Sequence, residues 1–200
     1  MHNRLTKYVE DSICILNEIR KSQNLQDLIE SIIQLILIAF KSNNKVLIAG
    51  NGGSAADAQH IASELVGRMK FSRPGLSAIA LSSNPSNLTA IGNDFGFDNV
   101  FSRQLESIGH ADDIFIGIST SGNSSNIIKA LKIAQELGIK TVGITGADGG
   151  IMKVYCDLCI CIPSKETPRI QEIYLLIAHF ICETIEKELF SSYIVAPRSL

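Results

Sequence analysis

Long apolar runs are missing from this 200-residue chain. Its most apolar stretch, Ile32 to Phe40, is broken by Gln34 and falls well short of the ~20 residues that a bilayer-spanning helix needs. The N-terminus, with Asn3, Lys7, Glu10 and Asp11, lacks the apolar segment of a secretory signal. A surplus of basic charge is missing too. Eighteen Lys and Arg against 20 Asp and Glu give a net charge of −2, which leaves no electrostatic footprint for nucleic acid or an anionic membrane. No internal repeat, linker or low-complexity run interrupts the sequence. With 46% hydrophobic and 19% charged residues, the expectation is one well-packed cytoplasmic domain, with neither nucleic acid nor membrane as partner.

Cysteine is present but not arranged for a structural metal. Cys156, Cys159 and Cys161 form C-x-x-C-x-C, yet three thiols cannot close a tetrahedral zinc site unaided. The segment around 157–162 also reads as a strand, with Cys159 and Cys161 on one face. All five cysteines are therefore expected as buried thiols, without disulfides.

What is present is an alternation of strands and helices. Helical periodicity covers 3–22 and 25–42, the second with an apolar face of Leu28, Ile32, Leu35, Ile36 and Phe40. Short apolar runs at 45–49, 77–81, 113–118, 140–145 and 157–162 then alternate with helical stretches at 54–68, 86–92, 97–108, 124–137 and 169–190. This pattern implies an α/β fold, a three-layer α/β/α sandwich on a five-stranded parallel sheet of the doubly wound type, preceded by two N-terminal helices. The organisation is a single domain over 1–200: helices at 3–42, an α/β core at 45–190 and an unassigned tail at 191–200.

Two of the strand-to-helix turns carry chemistry. Residues 46–54 run Val-Leu-Ile-Ala-Gly-Asn-Gly-Gly-Ser, and 114–124 run Ile-Phe-Ile-Gly-Ile-Ser-Thr-Ser-Gly-Asn-Ser. Glycine allows close backbone approach to a ligand, and a helix that starts after such a turn offers free N–H groups to an anion. Ser119, Thr120, Ser121 and Ser124 add four hydroxyl donors without charge. Gly, Ser and Asn also crowd ordinary turns for conformational reasons. Two such turns at the carboxyl edge of one sheet nevertheless favour a ligand. Neither fits the nucleoside triphosphate or dinucleotide fingerprints, so the expected ligand is a small phosphorylated molecule.

Titratable groups follow the first turn. His60 and Glu64 lie one helical turn apart, where they can share a metal ion, act as an acid/base pair or simply form a solvent-facing pair. Downstream, His179 is set among Leu175, Leu176, Ile177, Ala178, Phe180 and Ile181, a setting typical of a satisfied core histidine. Gln171 lies eight residues before it, about 12 Å along a helix. The two converge only at full stretch or from different subunits.

The ordered set Asn51-Gly-Gly-Ser54, His60-x-x-x-Glu64, Gly92-Asn-Asp-Phe-Gly-Phe97, Ser119-Thr-Ser-Gly-Asn-Ser124, Thr145-Gly-Ala-Asp-Gly-Gly150 and Arg169-Ile-Gln-Glu172 with His179 closely resembles the bacterial phosphoheptose (sedoheptulose 7-phosphate) isomerase family of the SIS, or sugar isomerase, flavodoxin-like fold. The resemblance spans about residues 1–190. It implies a homotetramer with sites between subunits, a phosphorylated heptose substrate and one zinc per subunit. The implied zinc ligands are His60, Glu64, Gln171 and His179. The implied substrate contacts are Asn51, Gly52, Gly53, Glu64, Asn93, Asp94, Ser119, Thr120, Ser121, Ser124 and Gln171. Glu64 and His179 are the implied catalytic pair, with Glu64 moving a proton between C1 and C2 and His179 moving protons on the oxygens. The chain departs from many members at Ala55 and Pro168, where they carry His and Asp. Two alternatives are an isomerase for another sugar phosphate and a noncatalytic SIS protein that binds the replication initiator. Ser54-Ala-Ala-x-Ala-Gln-His60 and Gly109-His-Ala-Asp112 resemble that second group, which generally lacks residues equivalent to Glu64 and His179.

Overall fold

The computed structural model describes residues 2–192, so most of the tail lies outside the described residues. Two helices, α1 (His2–Lys21) and α2 (Gln23–Lys41), precede the sheet. Ser22 separates them because its hydroxyl accepts from the Leu25 amide as the N-cap of α2. The buried stripe of α2 is Ile29, Ile32, Ile33, Ile36, Leu37 and Ala39. Leu28, Leu35 and Phe40, expected at its centre, lie on its margins, partly buried against the same core.

The sheet is wholly parallel, in the order β2 (Ala78–Ala80), β1 (Val46–Ala49), β3 (Ile114–Ile118), β4 (Lys140–Thr145), β5 (Leu158–Cys161). Alternate residues of β1 and β3 feed two separate cores, which is why these two strands read as unbroken apolar runs. One core packs α2, α3 (Gly53–Val66) and α7 (Thr167–Phe190) against Val46, Ile48, Ile114, Ile116, Ile118, Val142 and Ile144. The other packs α5 (Ser102–Ile108) and α6 (Ser125–Glu136) against Leu47, Ala49 and Phe115. The expected three layers are present.

The region expected as one helix over 97–108 is instead a 3-10 turn, Phe97–Asn99, followed by α5. Gly96, at φ +84°, ends the preceding α4 (Pro85–Phe95) and redirects the chain. No described helix is long and apolar enough to cross a membrane.

The helix after β1 covers one face of the sheet and the helix after β3 covers the other, although β1 and β3 are neighbours. A crevice therefore opens at the carboxyl ends of these two strands, where a doubly wound sheet binds its ligand. Both Gly/Ser turns border it.

Candidate active site

The two turns are tied together across the crevice. Asn51 and Asn126 exchange two side-chain hydrogen bonds of 2.9 Å, a reciprocal amide pair with Asn126 buried. Asn126 was not singled out from the sequence, where it reads as one more polar residue in a helix.

On the β3 side, the Ser119 hydroxyl meets those of Ser124 at 2.9 Å and Ser121 at 3.5 Å. Ser124 is the N-cap of α6 but makes no side-chain cap bond, because its hydroxyl is turned toward Ser119. The first amides of α6 are thus free of a side-chain cap, beside three clustered hydroxyls. Ser119 is buried, Thr120 is partly covered and Ser121 is exposed. The turn is held from beneath: Met152 donates to the Gly122 carbonyl at 2.9 Å and Ile151 to Asn123 Oδ1 at 3.0 Å. A Cβ on Gly122 would lie 2.3 Å from the Gly149 carbonyl oxygen, and φ there is +67°, so only glycine fits.

On the β1 side, Gly52 (φ +56°) is the N-cap of α3, and it too leaves the helix start without a side-chain cap. Asn93 and Asp94 project from α4 into solvent and bond each other at 2.8 Å. The same loop reaches the start of α6 where Ser125 donates to Asp98.

The α3/α7 seam carries the remaining candidates. The two helices run parallel, so Gln171 meets Gly53, Tyr174 meets Ser54 and Asp57, and His179 meets His60. His60 Nε2 lies 2.9 Å from His179 Nε2 and 3.4 Å from Glu64 Oε1. One donor atom from each of these residues falls within 4.8 Å of the others. The chain therefore brings His60, Glu64 and His179 together, 119 residues apart at the two histidines. His179 is half-buried and partnered by a second imidazole, rather than enclosed in the core, and its neighbours Leu176 and Phe180 are exposed. Gln171 sits at the other end of the seam, its Nε2 2.6 Å from where a Cβ of Gly53 would be.

Several supports were not legible beforehand. Tyr174 donates to Asp57 at 2.5 Å and contacts the Ser54 hydroxyl at 3.0 Å. Burial, then the bond to Asp57, pushes its phenol above the ordinary range, so it stays a neutral donor. Arg73 and Glu186 form a fully buried ion pair at 3.1 Å. Glu186 also accepts from the amides of Met69 and Lys70, and Arg73 donates to the carbonyls of Glu64 and Leu65. The pair clamps the end of α3, including Glu64, onto α7. Arg169 and Glu172, prominent in the sequence, tie α1 to α7. Arg169 stacks on Tyr8, bonds its carbonyl and the Ser12 hydroxyl, and pairs with Glu172 at 2.7 Å.

Two uncapped helix starts after Gly/Ser turns and a histidine–carboxylate cluster on the α3/α7 seam suit a phosphosugar-processing α/β protein. Residues 7–146 match the SIS domain family. The chain is 51% identical to a phosphoheptose isomerase of Aneurinibacillus thermoaerophilus, covering 98% of this chain and 99% of that protein. It is 50% identical to phosphoheptose isomerase 2 of Campylobacter jejuni, over 95% and 94% of the two chains. The solved phosphoheptose isomerase of Neisseria gonorrhoeae superposes with a TM-score of 0.87 at 41% identity, over 93% and 98% of the chains. This chain belongs to the phosphoheptose isomerase family of SIS-domain proteins.

Proposed function

We propose that this protein is an isomerase that converts sedoheptulose 7-phosphate to D-glycero-D-manno-heptose 7-phosphate through an enediol(ate), the first step of nucleotide-activated heptose biosynthesis. The observation that carries the reading is the convergence of His60, Glu64 and His179 on the α3/α7 seam, in a chain that also carries the serine turn and is half identical along its length to proteins of that name.

In this reading Ser119, Thr120, Ser121 and Ser124, with the first amides of α6, bind the phosphate, whose charge also suits the positive end of the helix. Asn51, Gly52, Gly53, Asn93, Asp94 and Gln171 contact the sugar chain. Glu64 takes a proton from C1 and returns it at C2. Its Oε1 faces His60, which leaves Oε2 as the basic atom. His179 moves a proton between the O1 and O2 oxygens.

The donor set fits a zinc ion. The contact between His60 Nε2 and His179 Nε2, 2.9 Å, is close to the ~3.3 Å that two nitrogens span on a tetrahedral ion with ~2.0 Å bonds, and a carboxylate completes three donors. His60, Glu64 and His179 would hold it, whereas Gln171, expected as a fourth ligand, lies beside Gly53 about two helical turns away and does not reach the same ion within one chain. Bound there, zinc supplies Lewis-acid stabilisation of the developing enediolate oxygen.

A homotetramer would cover the exposed Leu176 and Phe180 beside His179 and the exposed stripe of Leu5, Val9 and Ile13 on α1. Hydrodynamic mass measures it. No observation favours a noncatalytic role, because the histidines and Glu64 converge. The test is incubation with sedoheptulose 7-phosphate and detection of the aldoheptose 7-phosphate. Turnover of a shorter ketose phosphate with none of the heptose would overturn the substrate assignment.

A further inference from the structure

Cys156, Cys159 and Cys161 are not buried as expected: all three are half-buried, Cys14 is exposed, and among the described residues only Cys182 is buried. The reason is the position of β5, an edge strand whose outer side borders a cavity of about 380 Å³ rather than another strand. Cys159 and Cys161 line that cavity with Lys153, Glu18 and the residues around the α1–α2 junction.

The sulfurs converge because β4 carries no side chain beneath them. Gly143 pairs with Cys159 in the sheet, and a Cβ there would lie 2.6 Å from Cys156 Sγ and 2.9 Å from Cys159 Sγ. Both thiols thus occupy the space of one missing side chain. Cys156 donates to the Met152 carbonyl at 3.3 Å, which directs it over the 3-10 turn Ile151–Tyr155.

We propose that Cys156 and Cys159 are an oxidisable dithiol that closes to a disulfide when a hydroperoxide enters through the β5-edge cavity. One of the two sulfurs attacks the peroxide: an S–O bond forms, the O–O bond breaks, and the leaving oxygen departs as water or alcohol with a proton from solvent. The other sulfur then attacks the sulfenic sulfur. The S–S bond forms, the S–O bond breaks, and the hydroxyl leaves as water with the proton of the second thiol. Two thiols and one hydroperoxide give one disulfide, one alcohol (or water) and one water.

Two features favour this product over a metal complex. No histidine or carboxylate joins the three sulfurs in a metal-sized cluster among the described residues, and the nearby cation, Lys153, opposes a metal ion while favouring thiolate. The Cys159 thiol is pushed up to about 12, first by its hydrogen bond to Cys156 and, in part, by burial.

The test is peroxide challenge of the whole protein, followed by alkylation under denaturing conditions and peptide mapping. Trypsin releases all three cysteines in one peptide, Val154 to Lys165. The expected product is that peptide lighter by two hydrogens and alkylated once, at Cys161, with Cys14 and Cys182 alkylated as in the untreated protein. Cys161→Ser retains the loss of two hydrogens, whereas Cys156→Ser and Cys159→Ser abolish it. Full alkylation of the peptide after challenge overturns the proposal. So does loss of the bridge in Cys161→Ser, or sulfinic acid at either sulfur in place of a bridge.

Discussion

Gly53→Ala separates the requirements of the fold from those of the site. Gly53 is the first residue of α3 and is not among the residues at positive φ, so alanine meets no backbone strain there. In a helix, alanine is favoured over glycine by up to about 1 kcal/mol. The new Cβ would lie 2.6 Å from Gln171 Nε2, closer than any real contact, yet its neighbour is the free end of a flexible chain rather than backbone. The clash is therefore relieved by swinging the Gln171 amide away. Melting temperature should hold or rise by a few degrees, as expected for up to ~1 kcal/mol in a chain of this size. The displaced amide loses its proposed place at the substrate. One such hydrogen bond is worth about 0.5–1.5 kcal/mol, so kcat/KM should fall roughly tenfold. Thermal melting and steady-state kinetics on the same preparation measure both. A variant that melts like the parent and turns over at the parental rate would remove Gln171 from the site. Equal losses in stability and activity would show that the seam cannot accommodate the methyl at all.

Four other outcomes are expected. Replacing Ser121 and Ser124 by Ala should raise KM about tenfold with little change in kcat, because phosphate binds alike in the ground and transition states; an unchanged KM refutes the anion assignment. Glu64→Gln should keep the parental melting curve but lower kcat by at least ~10²-fold and abolish deuterium incorporation at C2, since the amide has no basic lone pair; near-normal turnover would move the proton transfer to His179. Protein purified without chelator should carry near-stoichiometric zinc, lose activity on chelation and regain it with zinc; full activity of metal-free protein would leave the cluster to proton transfer alone. Glu186→Gln leaves the Arg73 guanidinium buried and uncompensated, which costs about 3–5 kcal/mol. Chemical denaturation reads this directly, and a loss below ~1 kcal/mol would mean that water enters the pair.

Most of the fold was legible because strand and helix periodicities are local. The runs at 45–49, 113–118 and 140–145 became β1, β3 and β4 within a residue or so, since each is central in the sheet and buried on both faces over nearly its whole length. Legibility failed where burial depends on what an element meets. The stripe of α2 shifts toward Ile29, Ile33 and Leu37 because β-sheet, α1 and α7 all press on that helix, a broad contact that periodicity alone cannot centre. Residue type alone predicts buried cysteines on β5, but an edge strand has one uncovered flank. Glu186 and Arg73 look like ordinary surface charges in sequence; nothing local announces that the 69–73 loop folds back over the last turns of α7.

The site was legible in its parts and not in its register. Each turn declares itself by composition, and His60 and Glu64 by helical spacing. The relation between α3 and α7 is a different matter, because it depends on two helices over 100 residues apart in sequence lying parallel on the same face of the sheet. Parallel order follows from the all-parallel sheet, since every crossover helix runs against the strands. Once that is granted, the eight residues between Gln171 and His179 cease to be an obstacle and become a scale. α3 supplies Gly53 opposite one and His60 opposite the other, so the seam sets the amide near the turns and the imidazoles about two helical turns further along. Long side chains on a helix lean toward its N-terminus, which tilts His60, Glu64 and His179 back toward the crevice. In the proposed reading the serine turn, on the opposite face of the sheet, receives the phosphate. An extended phosphosugar is the ligand this reading requires, with its charged end at that turn and its reacting end at the seam.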